Sequence, residues 1–365
     1  MNLFHTHIAP RAVELAVETL RSGFVSEGKM VERFEAALAA ELGLVQPVAL
    51  ASGTAALHLA LAVAGVGPGD EVILPPQTFV ATGLAVLHAG ATPVFADIDP
   101  TTGNLDPASA AARVTDRTRA ILTVHWAGSP CALDALAAIA SAHGIPVIED
   151  AAHALGATYR GRPIGAISRF TCFSFQAIKH LTTGDGGALC CTEIADRDEA
   201  RRRRWFGIDR ARDQPDELGE RVYVLEKVGF KYHMNDVAAA IGLGNLPDHA
   251  PRLARRREID RRYRAALAGV PGVRLLRVEP ESASACWLFT VRVDGRGSLV
   301  RKAAEAGVPV SVINRRIDRH PLFGGCRPDL PGQAVFDQEQ LSLPAHDALS
   351  DDDVERVIGL LRSGW

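Results

Sequence analysis

The fold is decided by the stretch Pro47-Val48-Ala49-Leu50-Ala51-Ser52-Gly53-Thr54-Ala55-Ala56-Leu57, in which an apolar strand leads through a hydroxyl and glycine turn into an Ala/Leu-rich helix. The same alternation continues along the chain. Further short apolar runs lie at Glu71–Leu74, Pro93–Ile98, Arg119–His125, Ile145–Ile148 and Phe170–Phe175, with helix-period segments at 54–64, 79–88 and 133–143. Short strands between helices predict an α/β fold, with a mostly parallel sheet covered by helices on both faces.

The length of the chain predicts two domains, because 365 residues exceed what one hydrophobic core usually supports. The pattern changes near residue 247, and Pro247 and Pro251 are interpreted as the ends of a linker. Beyond them come a very basic helix at 252–267, strand-like runs at 273–278 and 286–293, and helices at 299–306 and 351–361. We therefore predict a large domain over residues 1–247 and a smaller α+β domain over residues 248–365.

The composition, with 47% hydrophobic and 23% charged residues, is that of an ordinary globular protein. A net charge of −3 gives no reason to expect a nucleic-acid partner, which requires a basic surface. The run Arg201–Arg204 is either a solvated helix face or a phosphate contact. The six cysteines contain no CxxC pair, so neither a disulfide framework nor a metal site is predicted. Without a visible signal peptide or an apolar run of membrane-spanning length, the chain is predicted to be cytoplasmic, with no membrane partner.

Two segments bring reactive side chains to the ends of predicted strands, where ligands bind in an open α/β sheet. The run Ile145–His153 ends in two carboxylates, Glu149 and Asp150. Asp150 is either a turn or cap residue, or a buried carboxylate that pairs with a protonated ring nitrogen. The run Phe173–Ala188 carries Lys179 among apolar, hydroxyl and glycine residues. A lysine there is either an ordinary surface residue or a nucleophilic amine whose pKa is lowered by apolar surroundings.

A third segment is the turn Ser52-Gly53-Thr54, where the unpaired N–H groups of a helix start suit a phosphate monoester. Alternatively, Ser52 is merely a helix cap. Together the three segments are more specific than each is alone. A phosphate turn, then an acid at a strand end, then a lysine is the order of fold-type I pyridoxal-phosphate enzymes.

The pattern extends over three further stretches, which are Gly69-Asp70-Glu71-Val72-Ile73, Thr78-Phe79-Val80-Ala81-Thr82 and Gly90-Ala91-Thr92-Pro93-Val94. It also includes Glu149-Asp150-Ala151-Ala152-His153, and Phe173-Ser174-Phe175 with Lys179. On these stretches the chain resembles the DegT/StrS family of sugar aminotransferases over nearly its whole length. The resemblance implies a fold-type I pyridoxal-phosphate-dependent transferase whose cofactor alternates between pyridoxal and pyridoxamine phosphate.

The resemblance also implies roles for individual residues. Lys179 would be the Schiff-base lysine that later moves protons, and Asp150 would pair with the pyridine nitrogen. The other implied cofactor contacts are Phe79 stacked on the ring, His153 at the phenolic oxygen, and Gly53, Thr54 and Ser174 at the phosphate. For Phe79 and His153, plain core packing is the competing interpretation.

Two departures from the family pattern concern the phosphate and the substrate. Relatives carry an asparagine in a Gly-Phe-Asn-Tyr-Arg-Met stretch that reaches the phosphate in the partner subunit's site. Here Lys231 stands in its place, so this lysine either makes the contact or the contact is lost. Asp185 stands where relatives often have glutamate, which leaves its substrate contact open. Arg315, Arg319 and His320 could face the diphosphate or the hexose, although a solvated loop is the alternative for the arginines.

The implied reaction is a ping-pong transamination with glutamate as amino donor. The leading substrate is a dTDP- or GDP-linked 4-keto-6-deoxyhexose. A 3-keto sugar, an inosose cyclitol and a non-catalytic regulator that binds the cofactor or a sugar remain alternatives. A deoxysugar dehydratase is disfavoured, because Lys179 is present where such relatives have histidine. The resemblance also implies a homodimer in which each active site is completed by the partner.

Overall fold

The computed structural model describes residues 1–209 and 217–365. Its helices are α1 (Pro10–Ser22), α2 (Lys29–Leu42), α3 (Gly53–Val63), α4 (Val80–His88), α5 (Pro107–Ala111), α6 (Leu133–Ala142), α7 (Ile194–Arg203), α8 (Asp236–Asn245), α9 (His249–Leu267), α10 (Arg296–Glu305), α11 (Pro331–Glu339) and α12 (Asp351–Arg362). Its strands are β1 (Pro47–Leu50), β2 (Glu71–Leu74), β3 (Thr92–Phe95), β4 (Thr118–Val124), β5 (Val147–Asp150), β6 (Thr158–Tyr159), β7 (Arg162–Pro163), β8 (Phe170–Ser174), β9 (Gly187–Cys191), β10 (Val273–Leu275), β11 (Ser282–Ala283), β12 (Phe289–Val293) and β13 (Gln340–Leu343).

A seven-stranded sheet with the order β1-β9-β8-β5-β4-β2-β3 forms the centre of the molecule. Strand β9 runs antiparallel to β1 and β8, and the pairs β8–β5, β5–β4, β4–β2 and β2–β3 are parallel. The prediction of a mostly parallel sheet is confirmed. The sequence analysis did not predict β9, which lies in the apolar run around Cys190 and Cys191.

The sheet is covered on both faces because successive side chains of a strand point to opposite sides. In β1, Ala49 packs into the core that also contains α2 and α8, whereas Val48 and Leu50 pack into the core with α3 and α4. The same alternation separates Ile73 from its neighbours in β2. Each of these strands is therefore buried on both faces, which explains why it is a continuous apolar run.

The predicted linker at Pro247 and Pro251 is wrong. Pro247 lies in a 3-10 turn, Leu246–Asp248, and Pro251 lies in the first turn of α9, so the chain passes from α8 into α9 almost without interruption. Proline is tolerated in a first helical turn because the N–H group that it lacks has no partner there in any case.

A second, three-stranded sheet, β10-β12-β13, packs against α9, α10 and α12. Its core is formed by side chains such as Ile259 and Tyr263 of α9 with Phe289 and Val291 of β12. The basic helix α9 is held by acidic partners: Arg252 and Arg256 both pair with Asp347, at 2.7 and 3.0 Å. The predicted domain boundary at 247/248 remains a prediction.

A small third sheet, β11-β6-β7, ties Ser282 to Tyr159 across the chain. Among the helices of the described residues, none has the length and apolar character needed to cross a bilayer.

Candidate active site

The ends of three strands meet at one edge of the central sheet. Because β9 runs antiparallel to both β1 and β8, those two strands run parallel to each other, and Leu50, Gly187 and Ser174 form one row across the sheet. In the adjoining parallel pair, Asp150 lies opposite Cys172. The carboxyl ends of β1, β5 and β8 therefore deliver the phosphate turn, the carboxylate and the lysine-bearing turn to the same place, as ligand sites in α/β sheets require.

A cavity of about 470 Å³ opens at this edge. Eight of the predicted site residues line it: Gly53, Thr54, Phe79, Asp150, His153, Ser174, Lys179 and Asp185. The remaining lining includes residues from distant parts of the chain, namely Phe4, Trp287, Val312, Ile313 and Asn314. Phe79, directly before α4, is 59% exposed and so is not a core residue of the single chain.

The turn before α3 leaves amide groups free for an anion. The Ser52 hydroxyl accepts a hydrogen bond from the Ala55 amide at 3.0 Å, so Ser52 is a helix cap. The N–H groups of Gly53 and Thr54 have no hydrogen-bond partner among the described residues. A Cβ atom on Gly53 would lie 2.9 Å from the Cβ of Ser174, and one on Gly187 would lie 2.7 Å from the Gly53 nitrogen. Glycines are needed here because the helix start lies directly against the strand ends.

Asp150 is a buried carboxylate with two fixed hydrogen bonds. The Thr82 hydroxyl donates to its Oδ2 at 2.7 Å, and the Ala152 amide donates to its Oδ1 at 3.1 Å. The hydroxyl of Thr78 lies 2.6 Å from that of Thr82 and extends the chain of contacts. Burial raises the pKa of the Asp150 carboxyl, whereas the two hydrogen bonds and the nearby Lys179 amine oppose the rise. The side chain is thus held in one orientation, facing the cavity.

Lys179 lies on the turn that follows β8, and its backbone N–H donates to the Gln176 carbonyl at 2.9 Å. Its Nζ atom has no hydrogen-bond partner in the part of the chain that the structure describes, and it lies 4.0 Å from the centre of the Trp287 ring. Burial lowers the pKa of the Lys179 amine to about 8, although the Asp150 carboxylate opposes this effect. The uncharged form of the amine is therefore more populated near neutral pH than in an ordinary lysine, as a nucleophilic lysine requires.

His153 lies beside the same tryptophan. The two rings are stacked with their centres 3.7 Å apart and their planes inclined by 12°. Burial and the positive charge of Lys179 keep the pKa of His153 well below its ordinary value, so the ring is neutral. Its buried Nδ1 atom has no hydrogen-bond partner among the described residues, so His153 is not a satisfied core histidine.

Four predicted residues lie outside the cavity of their own chain: Lys231, Arg315, Arg319 and His320. Arg315 pairs with Asp337 at 2.8 Å, and Arg319 and His320 are exposed. Lys231 is exposed and has its Nζ 4.3 Å from the centre of the Trp205 ring.

The basic run Arg201–Arg204 contacts protein groups. Arg201 pairs with Glu35 at 2.8 Å, Arg202 with Glu199 at 2.6 Å, and Arg204 is buried beside Glu35. Arg203 donates to backbone carbonyls. Within residues 1–209 and 217–365, no cluster of three potential histidine, cysteine or carboxylate ligands is suited to a metal ion.

Sequence reasoning missed three residues that border the site: Thr82, Trp287 and Asn314. Thr82 stands in a stretch that carries the family resemblance, so its hydroxyl one helical turn after Thr78 was the available signal. Asn314 adopts a left-handed backbone conformation (φ 48°), which is uncommon for a residue other than glycine. Nothing local in the sequence indicated that Trp287 lies beside Lys179.

The residues present fit pyridoxal phosphate. The free amides of Gly53 and Thr54 match its phosphate, and the buried carboxylate of Asp150 matches its ring nitrogen. The unpaired Nδ1 of His153 provides a partner for a phenolic oxygen, and the Lys179 amine provides a nucleophile for an aldehyde. All these groups line one cavity.

A mostly parallel sheet with such a carboxylate and lysine at its carboxyl edge defines a fold-type I pyridoxal-phosphate enzyme. Residues 7–362 match the DegT/DnrJ/EryC1/StrS aminotransferase family, and the chain belongs to that family. This membership confirms the predicted fold, the predicted cofactor and the predicted class of enzyme, a sugar aminotransferase.

Individual relatives agree with this assignment. The chain is 39% identical to the spore coat polysaccharide biosynthesis protein SpsC of Bacillus subtilis, over 97% of this chain and 94% of the relative. It is 36% identical to the GDP-perosamine synthase of Caulobacter vibrioides, over 92% of this chain and 90% of that enzyme. The crystal structure of AtS13 from Actinomadura melliaura, 39% identical, superimposes with a TM-score of 0.95 and covers 100% of this chain and 99% of that one.

Proposed function

We propose that this sugar aminotransferase transfers the amino group of glutamate to a 4-keto-6-deoxyhexose linked to dTDP or GDP. The observation that carries the proposal is a single cavity lined by Asp150 and Lys179, which come from two different strand ends. The similarity to a GDP-perosamine synthase supports a nucleotide-linked sugar as the substrate class.

The proposed division of labour follows from the surroundings of each side chain. When bound, pyridoxal phosphate would supply an aldehyde carbon that takes up and passes on the amino group, and a ring that withdraws electrons. Asp150, fixed by Thr82 and the Ala152 amide, holds a proton on the ring nitrogen. Lys179, whose pKa is lowered to about 8, would move a proton between the two carbon atoms that flank the transferred nitrogen, one of the substrate and one of the cofactor.

The other cavity residues bind and orient. Gly53, Thr54 and Ser174 are proposed to hold the phosphate, and Phe79 to stack on the ring. His153, neutral and with an unpaired Nδ1 atom, is proposed to contact the phenolic oxygen. Asp185, at the other end of the lysine-bearing segment, is proposed to contact the substrate.

We extend the proposal to a homodimer with shared active sites. Large apolar side chains are exposed on the single chain, among them Phe24 (81%), Leu218 (89%) and Val228 (74%), and exposed apolar surface favours association. Lys231 lies outside the cavity of its own chain and is exposed, as a residue that serves the partner's site must be. Its ammonium group suits a phosphate.

The role of Lys179 can be tested by trapping. Borohydride should bleach the yellow protein and leave a stable label on Lys179, and Lys179→Ala should be colourless and at least about a thousandfold slower. Arg319→Ala, an exposed residue outside the cavity, is the matched control and should retain colour and label. A yellow, reducible Lys179→Ala protein would refute the assignment.

The substrate can be identified with a panel of keto sugars. The enzyme is incubated with glutamate and with 4-keto and 3-keto sugars on dTDP and GDP, and with an inosose, and mass spectrometry identifies the product that gains an amine. The proposal expects a 4-amino product on one nucleotide. Amination of the 3-keto sugar or the inosose alone would replace it, and no amination despite bound cofactor would indicate a non-catalytic regulator.

Shared sites can be tested by mixing two inactive variants. In a hybrid of Lys179→Ala and Lys231→Ala chains, one active site carries both substitutions and the other carries neither. Activity should therefore return on mixing if Lys231 serves the partner's site. No recovery, although light scattering shows that hybrid dimers form, would mean that Lys231 acts within its own chain. A Lys231→Ala protein that is active before mixing would mean that Lys231 serves neither site.

A further inference from the structure

Trp287 contacts two of the proposed site residues, Lys179 and His153, although no motif in the sequence indicates this. It is 4% exposed, lies two residues before β12, and lines the cavity. Its ring is stacked on His153, with centres 3.7 Å apart, and lies 4.0 Å from the Lys179 Nζ atom. One indole therefore touches both the amine and the imidazole of the site.

The position of this indole is fixed at both its backbone and its ring. The Trp287 amide donates to the Ala127 carbonyl at 2.9 Å. The indole N–H donates to the Ile178 carbonyl at 3.1 Å, directly before Lys179. Phe4 packs on the ring with centres 5.2 Å apart. The tryptophan is thus tied to the same turn that carries the lysine, and the ring and the amine keep their relative position.

The charges around the Lys179 amine indicate what the indole face contributes. The carboxylate of Asp150 favours the ammonium form of Lys179. The nearby rings of His153 and His180 are buried, have depressed pKa values and supply no negative charge. Asp185 lines the same cavity. Burial favours the neutral amine. The face of an indole is negative and attracts a cation at about this distance, so it compensates part of the lost hydration.

We propose that Trp287 is a positioning residue whose indole face holds the ammonium form of Lys179 inside the cavity. This inference rests on the proposed role of Lys179 and adds what stabilises its protonated state. When the amine takes a proton from a carbon atom it becomes an ammonium ion. The indole face keeps that ion in place until a proton is delivered to the carbon atom on the other side of the transferred nitrogen, which restores the neutral amine.

The test measures the pKa of Lys179 in the full-length protein freed of cofactor. The protein is labelled with acetic anhydride over a range of pH, and mass spectrometry of the peptide that contains Lys179 gives the fraction of reactive amine. Replacing all tryptophans by mono-, di- and trifluorotryptophan keeps the shape and the N–H group but weakens the negative ring face stepwise. The proposal expects the pKa of Lys179 to fall stepwise from near 8, by about one unit in total, which is a tenfold change in the protonation equilibrium.

Two variants assign the effect to a single ring. In Trp287→Phe the fluorination series should no longer change the pKa of Lys179, because the remaining tryptophans are elsewhere. In the matched control Trp126→Phe, which removes an indole that borders His153 at 6.3 Å, the series should retain its full effect. A pKa of Lys179 that ignores fluorination, or that follows it equally in Trp287→Phe, would overturn the proposal.

A second pair of variants separates the ring face from the indole N–H group. Trp287→Phe and Trp287→Leu both lose the hydrogen bond to Ile178, but only the phenylalanine keeps an aromatic face. The phenylalanine variant should therefore stay closer to the wild-type pKa than the leucine variant, and equal values would count against the proposal. Borohydride labelling of Lys179 is measured separately, so a failure of the proposed function is distinguished from a failure of this inference.

Discussion

The cavity has two walls of different origin. The sheet wall, formed by Gly53, Thr54, Asp150 and Ser174, consists of residues at the ends of strands or at the start of a helix. The outer wall, formed by Phe4, Trp287, Val312, Ile313 and Asn314, comes from segments far apart in the chain. The sheet wall presents unpaired amides and a carboxylate, and the outer wall is mainly apolar.

The two walls differ in what fixes the positions of their residues. Strand register fixes the sheet wall, because Leu50, Gly187 and Ser174 lie in one row and Asp150 lies beside Cys172. The outer wall depends on how segments that are distant in sequence pack over the cavity. We therefore expect substitutions in the sheet wall to reduce turnover, and those in the outer wall, apart from Trp287 beside the Lys179 amine, to change substrate affinity.

The largest expected effect of the following substitutions is that of Asp150→Asn. The amide cannot hold a charged ring nitrogen, so kcat should fall about a hundredfold or more, while cofactor affinity changes less. Turnover and cofactor titration are measured side by side. Glu149→Gln is the matched control: this neighbouring carboxylate is buried against His125 at 2.7 Å and does not line the cavity, so its variant should retain more turnover. Nearly intact activity in Asp150→Asn would show that the carboxylate is not needed for turnover. The two walls would then not differ in their chemistry.

A smaller effect is expected for Thr82→Val, which removes the 2.7 Å hydrogen bond to Asp150. Because that bond opposes the burial-driven rise of the Asp150 pKa, its loss raises the pKa further and protonates the carboxyl at a higher pH. Turnover should fall about tenfold, with the largest loss at the acid end of the pH profile. Thr78→Val, one hydrogen bond further away, should change the profile less. A uniform loss at all pH values would contradict this explanation.

For the outer wall, Asn314→Gly should raise the KM for the nucleotide sugar about fivefold and leave kcat nearly unchanged. The Gln77 side-chain amide donates to the Asn314 carbonyl at 2.7 Å, and Asn314 lines the cavity. Glycine accepts the positive φ of this position, so the variant removes the amide without backbone strain. Asn314→Ala serves as the comparison that adds strain. A change in kcat without a change in KM would place Asn314 with the sheet wall.

The smallest effect is expected for Arg315→Ala. This arginine is half-exposed and paired with Asp337, and such pairs contribute at most about 1 kcal/mol to stability. Thermal unfolding and KM are measured, with Asp337→Ala as the partner control, and KM should change less than about twofold. A tenfold rise in KM for Arg315→Ala alone would show that the arginine reaches the substrate. Arg315 would then belong to the outer wall.

The sequence by itself determined the central sheet apart from β9, and most of the sheet wall. Strand β2 was predicted residue for residue, and α12 to within one residue, because apolar runs, helical periodicity and acidic helix starts are local signals. The same locality underlies the prediction of Asp150, Lys179 and the turn at Gly53 as site residues. Asp150 ends β5 and Gly53 begins α3, whereas Lys179 lies in the turn that follows β8.

Only the tertiary structure decided the outer wall. Trp287 lies beside Lys179, and Arg315 turns to Asp337, through contacts between segments that are distant in sequence. Likewise, Pro247 and Pro251 lie in helical turns because α9 starts at His249, between them. Local propensity acts over a few residues, whereas these positions are set by how the elements pack, and packing free energy is a property of the whole fold.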